Sequence, residues 1–417
     1  MQFTDDLGAW VARQRWYAGK SHTPHFRVLA AQPAPDATRY LLMDDAGTLP
    51  ALYQVPVAAL PGESHDAAPD AVIGTDVSGT LIDGARHPSF AVGTLAQMGV
   101  DVDNVTGVRV LSGEQSNTSI VFDVDGQPAI ILKLFRTLHH GENPDVTVQR
   151  VLSDAGSPFV PRFLGSLEGE WPDVGRESGD AHGTLGFAQE FLAGARDGWA
   201  VALDAAREGR DFTASARDLG VAVAGVHGAL GSALATTDAG PTEVIATGAA
   251  WHRRLGIAAS EVPAVADRLA AIEAVYAAAL ERPWPRLQRI HGDLHLGQAL
   301  TAPDGRWRLV DFEGEPLRPM NERAIPDLPP RDVAGMLRSF DYAGAVGAGP
   351  DAAAWAAACR ATFVEAYTAA DGAVALDPVL LRALVLDKAV YESIYEARNR
   401  PDWLPVPLAG IDAALAD

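Results

Sequence analysis

The sequence is poor in cysteine, in basic residues and in long apolar runs, and each shortage excludes a class of protein. Cys359 is the only cysteine among 417 residues, which rules out an intrachain disulfide and favours the reducing cytoplasm. Lys and Arg number 33 against 54 Asp and Glu, and the net charge of −21 disfavours nucleic acid and anionic membranes as partners. The apolar tract 221–234 is interrupted by His227 and is too short to span a bilayer. The N-terminal residues carry acids where a secretory signal would carry bases.

Hydrophobic patterning divides the chain into three predicted domains. Short alternating segments at 40–43 and 51–57 predict antiparallel strands in a mostly β domain over residues 1–90. Residues 91–193 predict a small sheet that carries one helix. The composition then changes to long Ala- and Leu-rich helical patterns, so residues 194–417 predict a mainly helical domain.

Several local signals define elements within these domains. In residues 91–193, strands are predicted at 108–111, 119–124, 129–135, 159–167 and 185–191, with a helix at 145–152. Asp125-Gly126 between two β-rich runs is a strong hairpin signal. The acid- and glycine-rich stretch 168–183 is predicted to be a surface loop. Near the C-terminus, Asp377 as a cap and Pro378 at the first helical position predict a helix that continues to Tyr395.

The segment with the clearest chemistry is His-Gly-Asp-Leu-His-Leu-Gly-Gln at 291–298, followed by a turn, an apolar strand at 307–310 and Asp-Phe-Glu-Gly-Glu at 311–315. A tight hairpin between two polar clusters places them side by side. Phosphoryl transfer needs this arrangement, because its barrier is lowered by holding metal ions on the phosphates and by orienting the attacking hydroxyl. Asp293 is predicted to accept the hydroxyl proton, and Gln298 and Asp311 are predicted to hold the metal ions through oxygen.

These motifs resemble the catalytic core of the aminoglycoside-phosphotransferase-like kinases, and within them the actinobacterial maltokinases and glucosamine kinases. Four further segments carry the narrower resemblance: Arg-Gln-Arg-Trp-Tyr-Ala-Gly-Lys at 13–20, Glu-Gln-Ser-Asn-Thr-Ser at 114–119, Arg-Asp-Val-Ala-Gly at 331–335, and Tyr-Glu-Ala-Arg-Asn-Arg-Pro-Asp-Trp-Leu-Pro at 395–405. The resemblance implies an α+β, two-lobed protein-kinase-like fold with a small β-rich N-lobe and a mainly helical C-lobe. Residues 1–90 would form an additional cap subdomain, 91–193 the N-lobe, and 194–417 the C-lobe with the catalytic loop and acceptor pocket. Trp16, Tyr17 and Lys20 are expected to pack the cap against the N-lobe.

The resemblance also assigns nucleotide-binding residues. Lys133, flanked by apolar residues on its strand, would pair with the α- and β-phosphates of ATP. The side chains of Ser116, Asn117 and Thr118 would donate hydrogen bonds to the phosphates, and the segment from Gln189 through Phe191 to Leu192 would offer backbone groups to adenine. Thr147 stands where the family has a glutamate that pairs with the lysine. Asp145 is the preferred substitute over Glu142.

Acceptor recognition is predicted by the same resemblance, since sugar pockets combine carboxylates, amides and an aromatic face. The candidate residues are Asp293, His295, Gln298, Glu315, Asp332, Tyr391, Glu396, Asp402 and Trp403. Some have structural alternatives: Arg331-Asp332 as an ion pair that stabilises the catalytic loop, Tyr391 and Tyr395 as core, and His295 as either ligand or support. His291 is expected to support the loop through hydrogen bonds. Several carboxylates and no obvious basic group favour a cationic aminosugar.

The sequence therefore predicts an ATP- and Mg²⁺-dependent sugar kinase in the cytoplasm, a monomer or weak dimer whose partners are ATP and a small sugar or aminosugar. The preferred reaction converts glucosamine to glucosamine 6-phosphate. A maltokinase that makes maltose 1-phosphate is the first alternative, although a shortened segment on the acceptor side, between Trp199 and the helix of His227, puts maltose in doubt. A non-catalytic nucleotide-binding protein with a kinase fold is the second, and Thr147 is the feature in its favour.

Overall fold

A computed structural model describes residues 2–47, 50–61, 68–111, 117–173, 175, 179–315, 318–349 and 351–416. The chain divides into two compact units. One unit comprises Met1–Val146 and Arg162–Ala193, and the other comprises Thr147–Pro161 and Gly194–Asp417. Among the described residues, every helix falls short of the combined length and apolar character that crossing a bilayer requires.

The N-terminal unit begins with a helix packed on a sheet. The elements are α1 (Gln2–Arg13), β1 (Phe26–Ala34), β2 (Ala37–Asp44), β3 (Ala51–Leu60), β4 (Val72–Asp76), β5 (Gly79–Asp83) and α2 (Pro88–Gln97). The antiparallel strands run in the order β1-β2-β3-β5-β4. The predicted strands at 40–43 and 51–57 are confirmed, whereas α1 was not predicted. Leu7, Trp10 and Val11 lie on one face of α1 at helical spacing and are buried in the same cluster as Tyr53.

A second sheet in this unit carries the predicted hairpin. Its elements are β6 (Val105–Val110), β7 (Asn117–Val124), β8 (Gln127–Phe135), β10 (Phe163–Pro172) and β11 (Asp180–Glu190), and the connections contain β9 (Thr137–Leu138) and α3 (Pro144–Asp154). The strand order is β10-β11-β8-β7-β6, and β9 pairs with β3 of the first sheet. Asp125 and Gly126 both adopt positive φ, 50° and 78°, as a two-residue hairpin turn requires.

The prediction of a surface loop over 168–183 is wrong for most of that stretch. The ladder between β10 and β11 continues from Glu168 opposite Thr184 to Pro172 opposite Asp180. Trp171 and Ala181 are buried in a cluster with Leu185, while acids alternate with them along the strand. The acidic and glycine-rich composition concealed this alternation. The predicted strand at 159–167 likewise begins only at Phe163.

The second unit is mainly helical. Its elements are β12 (Arg196–Asp197), α4 (Gly198–Glu208), α5 (Thr213–Ala233), α6 (Pro241–Glu261), α7 (Pro263–Ala266), α8 (Leu269–Leu280), β13 (Ala299–Thr301), β14 (Trp307–Leu309), α9 (Met320–Arg323), α10 (Pro330–Gly347), α11 (Ala352–Ala369), α12 (Pro378–Asn399) and α13 (Pro405–Ala416). The predicted cap of α12 is confirmed, because the Asp377 carboxylate accepts hydrogen bonds from the N–H groups of Val379 and Leu380 at 2.9 and 3.0 Å. A β-rich N-terminal unit followed by a mainly helical one confirms the predicted fold class.

Candidate active site

A short hairpin brings the two polar motifs of the helical unit together. β13 and β14 pair with Ala299 opposite Leu309, and the Val310 N–H donates to the Gln298 carbonyl at 3.0 Å. Beyond the ladder, the Gln298 side-chain amide donates from Nε2 to Asp311 Oδ2 at 3.0 Å. The two predicted metal ligands are therefore neighbours in the structure.

Left-handed backbone shapes both loops of this site. Gly292 and Gly314 adopt φ of 84° and 76°, and Asp311 adopts φ of 69°, a conformation uncommon outside glycine and tolerated by aspartate. A Cβ at Gly292 would lie 3.2 Å from the Cα of Gly314, so the two loops pack backbone against backbone. This close approach places the Asp293 segment beside the Asp311 segment.

Asp332, at the start of α10, fixes the shape of the catalytic loop at 291–295. Its Oδ2 and Oδ1 accept hydrogen bonds from the N–H groups of His291 and Gly292 at 2.8 and 2.9 Å, and His227 Nε2 lies 3.1 Å from Oδ2. The side chain is almost fully buried. Because these bonds occupy both oxygens, the structural alternative for Asp332 fits better than direct acceptor contact. The predicted partner is wrong: Arg331 pairs with Asp327 at 3.1 Å instead.

Two further contacts hold the catalytic loop. His291 Nε2 lies 3.0 Å from the Val310 carbonyl, and its ring packs on Phe312 with a centroid distance of 4.7 Å. The supporting role predicted for His291 is confirmed by these contacts. Gly335 of α10 lies so close to the loop that a Cβ there would stand 2.4 Å from the Leu294 carbonyl oxygen. The helix thus packs against the catalytic loop through bare backbone.

A narrow cleft opens beside Asp293 and encloses about 430 Å³ when the open space at its mouth is included. The predicted residues Asp293, Glu315, Asp332 and Tyr391 are in its wall. The wall also holds Arg254, Arg331, Asp387 and Lys388. The expectation of an acceptor site without basic groups is therefore wrong. Arg254 and Lys388 come from α6 and α12, far from the catalytic loop in sequence, and no local motif marked them.

Lys388 contacts the predicted catalytic base. Its Nζ lies 3.3 Å from Asp293 Oδ1 and 5.3 Å from the centre of the Tyr391 ring. Burial by itself lowers the pKa of Lys388, but the carboxylates of Asp293, Glu315 and Glu392 outweigh it, so the pKa is raised above 10.5. Lys388 is therefore a cation at neutral pH, fixed against one oxygen of the base.

The arginines of the cavity are also paired. Arg254 Nη1 hydrogen-bonds to Asp387 Oδ2, and Arg331 reaches the same oxygen at 3.9 Å. Asp387 is nearly fully buried, and its Oδ1 has no hydrogen-bond partner among the described residues. A buried carboxylate oxygen that receives no hydrogen bond lowers the stability of the fold, and a hydroxyl or ammonium group of the bound substrate could donate the missing bond.

His295 is held as a neutral imidazole. Its Nδ1 accepts a hydrogen bond from the Gly297 N–H at 3.0 Å, which starts the helical turn Leu296–Gln298. Burial lowers the pKa of His295 below its ordinary value of 6.5, although Asp293 opposes the shift. The proton therefore sits on Nε2, which can donate a hydrogen bond.

The other predicted acceptor residues are outside the set that lines the cavity: His295 and Gln298 in the catalytic loop and its following turn, Glu396 in the last turn of α12, and Asp402 and Trp403 in the turn after it. Glu396 is buried and accepts hydrogen bonds from Arg400 at 2.7 and 2.9 Å and from the Tyr342 hydroxyl at 3.1 Å. The Trp403 ring packs on the Arg400 guanidinium at 4.3 Å. Asp402 is exposed. Direct contact of these residues with an acceptor stays a prediction.

In the N-terminal unit, Lys133 pairs with the preferred carboxylate. Lys133 Nζ lies 3.0 Å from Asp145 Oδ2, and both side chains are buried. β8 supplies the lysine and the first turn of α3 supplies the aspartate, whereas Glu142 is exposed. Asp145, two residues before Thr147, is therefore the carboxylate that pairs with Lys133, and the role of this pair in nucleotide binding stays a prediction.

Other predicted nucleotide residues are already engaged. Ser116 falls outside the described residues. Thr118 Oγ1 accepts a hydrogen bond from Arg136 Nε at 2.7 Å, and the Phe191 N–H donates to the Ala129 carbonyl at 2.8 Å. Gln189 lies in the ladder between β8 and β11. Roles for Asn117, Thr118, Gln189 and Phe191 in nucleotide binding stay predictions.

The donor set beside the catalytic loop suits a hard divalent cation. Asp311 offers a carboxylate and Gln298 an amide that also carries an oxygen, and Glu313 follows in the same segment. Mg²⁺ prefers such oxygen ligands and keeps part of its shell for water and phosphate. The residues present therefore fit the predicted ion.

The N-terminal motif has the predicted packing role in part. The Arg136 guanidinium, which follows β8, lies 5.0 Å from the centre of the Trp16 ring, and this contact joins the cap to the second sheet. Tyr17 instead packs within the cap, where its hydroxyl donates to Asp44 Oδ2 at 2.7 Å and both residues are buried. Lys20 is exposed, so the packing prediction is wrong for this residue.

Comparison with known proteins relates the chain to phosphotransferases. Residues 10–86 match the model of the maltokinase N-terminal cap domain, and residues 107–375 match that of the phosphotransferase enzyme family. A glucosamine kinase of Streptacidiphilus jiangxiensis is 33% identical over 75% of this chain and 74% of its own length. One from Mycolicibacterium smegmatis is 30% identical over 74% of this chain and 80% of its own length. A solved glucosamine kinase bound to glucosamine, ADP and inorganic phosphate has the same fold, with a TM-score of 0.72, 24% identity, and coverage of 97% of this chain and 98% of that one.

Proposed function

We propose, from the premise that this chain belongs to the phosphotransferase enzyme family, that it transfers the γ-phosphoryl group of ATP to the 6-hydroxyl of glucosamine. The observation that carries the proposal is the position of Asp293, in the wall of a cavity beside the Gln298–Asp311 pair. A carboxylate there can accept a hydroxyl proton next to a cation site. Two relatives named glucosamine kinase support the choice of acceptor.

In the proposed reaction, Asp293 acts as the general base. Lys388 occupies Oδ1 of Asp293, so Oδ2 is the oxygen that is directed at the acceptor hydroxyl. Orientation of this kind removes much of the entropic barrier to attack on the phosphoryl group. Gln298 and Asp311 would hold Mg²⁺, whose charge would neutralise the phosphates. Lys133, kept in place by Asp145, would bind the phosphates of ATP.

The charge of the cavity is compatible with an aminosugar. Its wall carries four carboxylates, on Asp293, Glu315, Asp332 and Asp387, against the three basic groups of Arg254, Arg331 and Lys388. The open oxygen of Asp387 and the carboxylate of Glu315 are the proposed contacts for polar groups of the acceptor, with Tyr391 as the aromatic face. His295, Gln298, Glu396, Asp402 and Trp403 complete the proposed acceptor set.

The test is a coupled assay of ADP release with Mg²⁺ and glucosamine, glucose, maltose or an aminoglycoside as acceptor, followed by ³¹P NMR of the product. Glucosamine should give the highest kcat/KM, and its product should carry the phosphate on C6. Strict preference for maltose would instead support the maltokinase alternative. The match of residues 10–86 to the maltokinase N-terminal cap domain is the observation in favour of that alternative. No turnover with any acceptor would favour the non-catalytic alternative.

A further inference from the structure

Lys388, which contacts the proposed base Asp293, belongs to a chain of alternating charges that continues beyond the cavity. Glu392 lies one turn after Lys388 on α12, and the two side chains attract each other electrostatically. Glu392 Oε2 accepts hydrogen bonds from Arg338 Nε at 2.9 Å and from Arg338 Nη2 at 2.7 Å. Negative and positive groups therefore alternate from the proposed base to the arginine.

Arg338 is fixed in place by three helices. Its side chain is almost fully buried on α10, and its Nη1 pairs at 2.8 Å with Oδ2 of Asp341, one turn further along the same helix. α13 covers the guanidinium group with bare backbone, since a Cβ at Gly410 would overlap with Nη1. The arginine is bonded through all three of its nitrogens and enclosed on each side, so it has little freedom to move.

The same stretch of α10 also holds the catalytic loop. The Ser339 hydroxyl accepts a hydrogen bond from the Leu296 N–H at 3.0 Å, and Gly335 packs on the backbone of the loop. Arg338 therefore lies between two positions of α10 that contact the loop. Its hydrogen bonds to Glu392 join α12 to a helix whose position relative to the base is already set.

We propose that Arg338 and Glu392 are positioning residues for Lys388, an inference that rests on the proposed role of Asp293 as the base. Their charge-assisted hydrogen bonds fix α12 against α10, so that the ammonium group one turn away lies against Oδ1 of the base. A displacement of about 1 Å can lower the rate even when every reacting group is present. Both residues lie outside the set that lines the cavity, so they act through the lysine and not on the substrate.

The kinetic test compares Glu392→Gln with the double variant Lys388→Met/Glu392→Gln. Loss of the carboxylate should lower kcat about tenfold and change the KM for ATP by less than about twofold, because the displaced ammonium group acts on the base. In the Lys388→Met background the same substitution should have no further effect, since no ammonium group is left to position. Glu392→Asp keeps the charge and should recover part of kcat.

Arg282→Gln is the matched control. Arg282 pairs with Asp377 at 2.8 Å, so this substitution also breaks an ion pair of α12, but at the other end of the helix. It should leave kcat unchanged. Thermal denaturation establishes that each variant is folded, and Glu392→Asp takes the place of Glu392→Gln in every comparison if the latter does not fold.

A second readout does not depend on the acceptor. Lys20, Lys133 and Lys388 are the lysines of the chain, so protein labelled with ¹⁵N at lysine gives few side-chain NMR signals. The fixed ammonium group of Lys388 should exchange its protons slowly and give a signal that is lost in Lys388→Met. That signal should broaden or shift in Glu392→Gln and stay unchanged in Arg282→Gln.

Two results would overturn the proposal: an unchanged Lys388 signal in Glu392→Gln, and a multiplicative loss of kcat in the double variant. Absence of a slowly exchanging Lys388 signal in the unmodified protein would show that the lysine is not fixed and would count against it equally. Absence of turnover with glucosamine would refute the proposed function alone. The kinetic comparison then uses the sugar that the enzyme accepts, and the NMR comparison needs none.

Discussion

Lys388 Nζ lies 3.3 Å from Asp293 Oδ1, so an ammonium group from α12 is fixed against the carboxylate that we assign as the general base. The lysine is held there by the surrounding carboxylates and by the ring of Tyr391. An acceptor hydroxyl hydrogen-bonded to Asp293 would place the reacting phosphoryl group within a few bond lengths of the same cation. Lys388 can therefore both orient the base and stabilise the charge of the transferred group.

Replacement of Lys388 by methionine should lower kcat by roughly 10- to 100-fold with a smaller effect on the KM for ATP, because the lost cation acts on the base and on the transferred group. Lys388→Arg should recover part of the activity, since it restores the positive charge. Steady-state kinetics with glucosamine and ATP measures both constants. A fall in stability without any change in kcat would show that Lys388 is only a packing residue.

Replacement of Asp293 by asparagine removes the base while it preserves size and hydrogen bonding. General-base catalysis contributes roughly 10²- to 10⁴-fold, and kcat should fall by that order. Nucleotide binding, measured by fluorescence titration with ADP and Mg²⁺, should change little. Turnover equal to that of the unmodified enzyme would refute the assignment.

The Lys133–Asp145 pair should behave as one functional unit. Either Lys133→Met or Asp145→Asn should raise the KM for ATP about tenfold, because each leaves the phosphates without a correctly placed lysine. The double variant should be little worse than either single variant, since the two residues act through one contact. Glu142→Gln is the matched control on the same segment and should leave the KM for ATP unchanged. Additive losses in the double variant would show that the two residues act independently.

Asp332→Ala should destabilise the helical unit strongly. It removes the acceptor for two loop N–H groups and for His227 in a buried position. Breaking a buried pair of this type costs about 3 to 5 kcal/mol. Urea denaturation should show the loss, and Asp341→Ala, a partly exposed position of the same helix, should cost less. If Asp332→Ala instead unfolds at the same urea concentration as the unmodified protein, the loop is fixed by other contacts.

His295 predicts how stability depends on pH. Its pKa in the folded protein lies below the unfolded value of 6.5, so below pH 6.5 the unfolded chain binds a proton that the folded chain does not. The neutral imidazole therefore makes its full contribution to the stability of the folded protein above pH 6.5, and this contribution decreases as the pH falls below 6.5. His295→Asn retains an acceptor for the Gly297 N–H but does not titrate. Urea denaturation between pH 5 and 8 measures the free energy of unfolding, which should depend less steeply on pH below 6.5 in this variant than in the unmodified protein. An identical pH dependence in the two proteins would exclude His295 as its source.

Local signals in the sequence were sufficient for elements that depend on neighbouring residues. The Asp125-Gly126 turn and the Asp377 cap were predicted because a positive φ and a free helix N-terminus each demand particular residues at that point. The Asp293, Gln298 and Asp311 segments were predicted to adjoin one another because a tight hairpin joins them, and the Gln298–Asp311 contact agrees with that prediction.

Features that depend on tertiary packing were missed. Arg254 and Lys388 reach the cavity from helices whose positions are set by the core, so no sequence spacing relates them to Asp293. Tertiary packing also determines that Arg331 pairs with Asp327 and not with its sequence neighbour Asp332. In β10 and β11, solvent-facing acids lie beside the buried Trp171 and Ala181, and the acidic, glycine-rich composition concealed the alternation that marks a strand.

The backbone contact between Gly335 and the Leu294 carbonyl has a practical consequence for redesign. Any side chain at this position would displace the peptide that follows Asp293, even though residue 335 bears no functional group. A mutagenesis library aimed at new acceptors should therefore hold this glycine constant and diversify Glu315, Asp387 and Tyr391. A residue of α10 that packs against the catalytic loop would then tolerate substitution as poorly as a residue that takes part in the reaction.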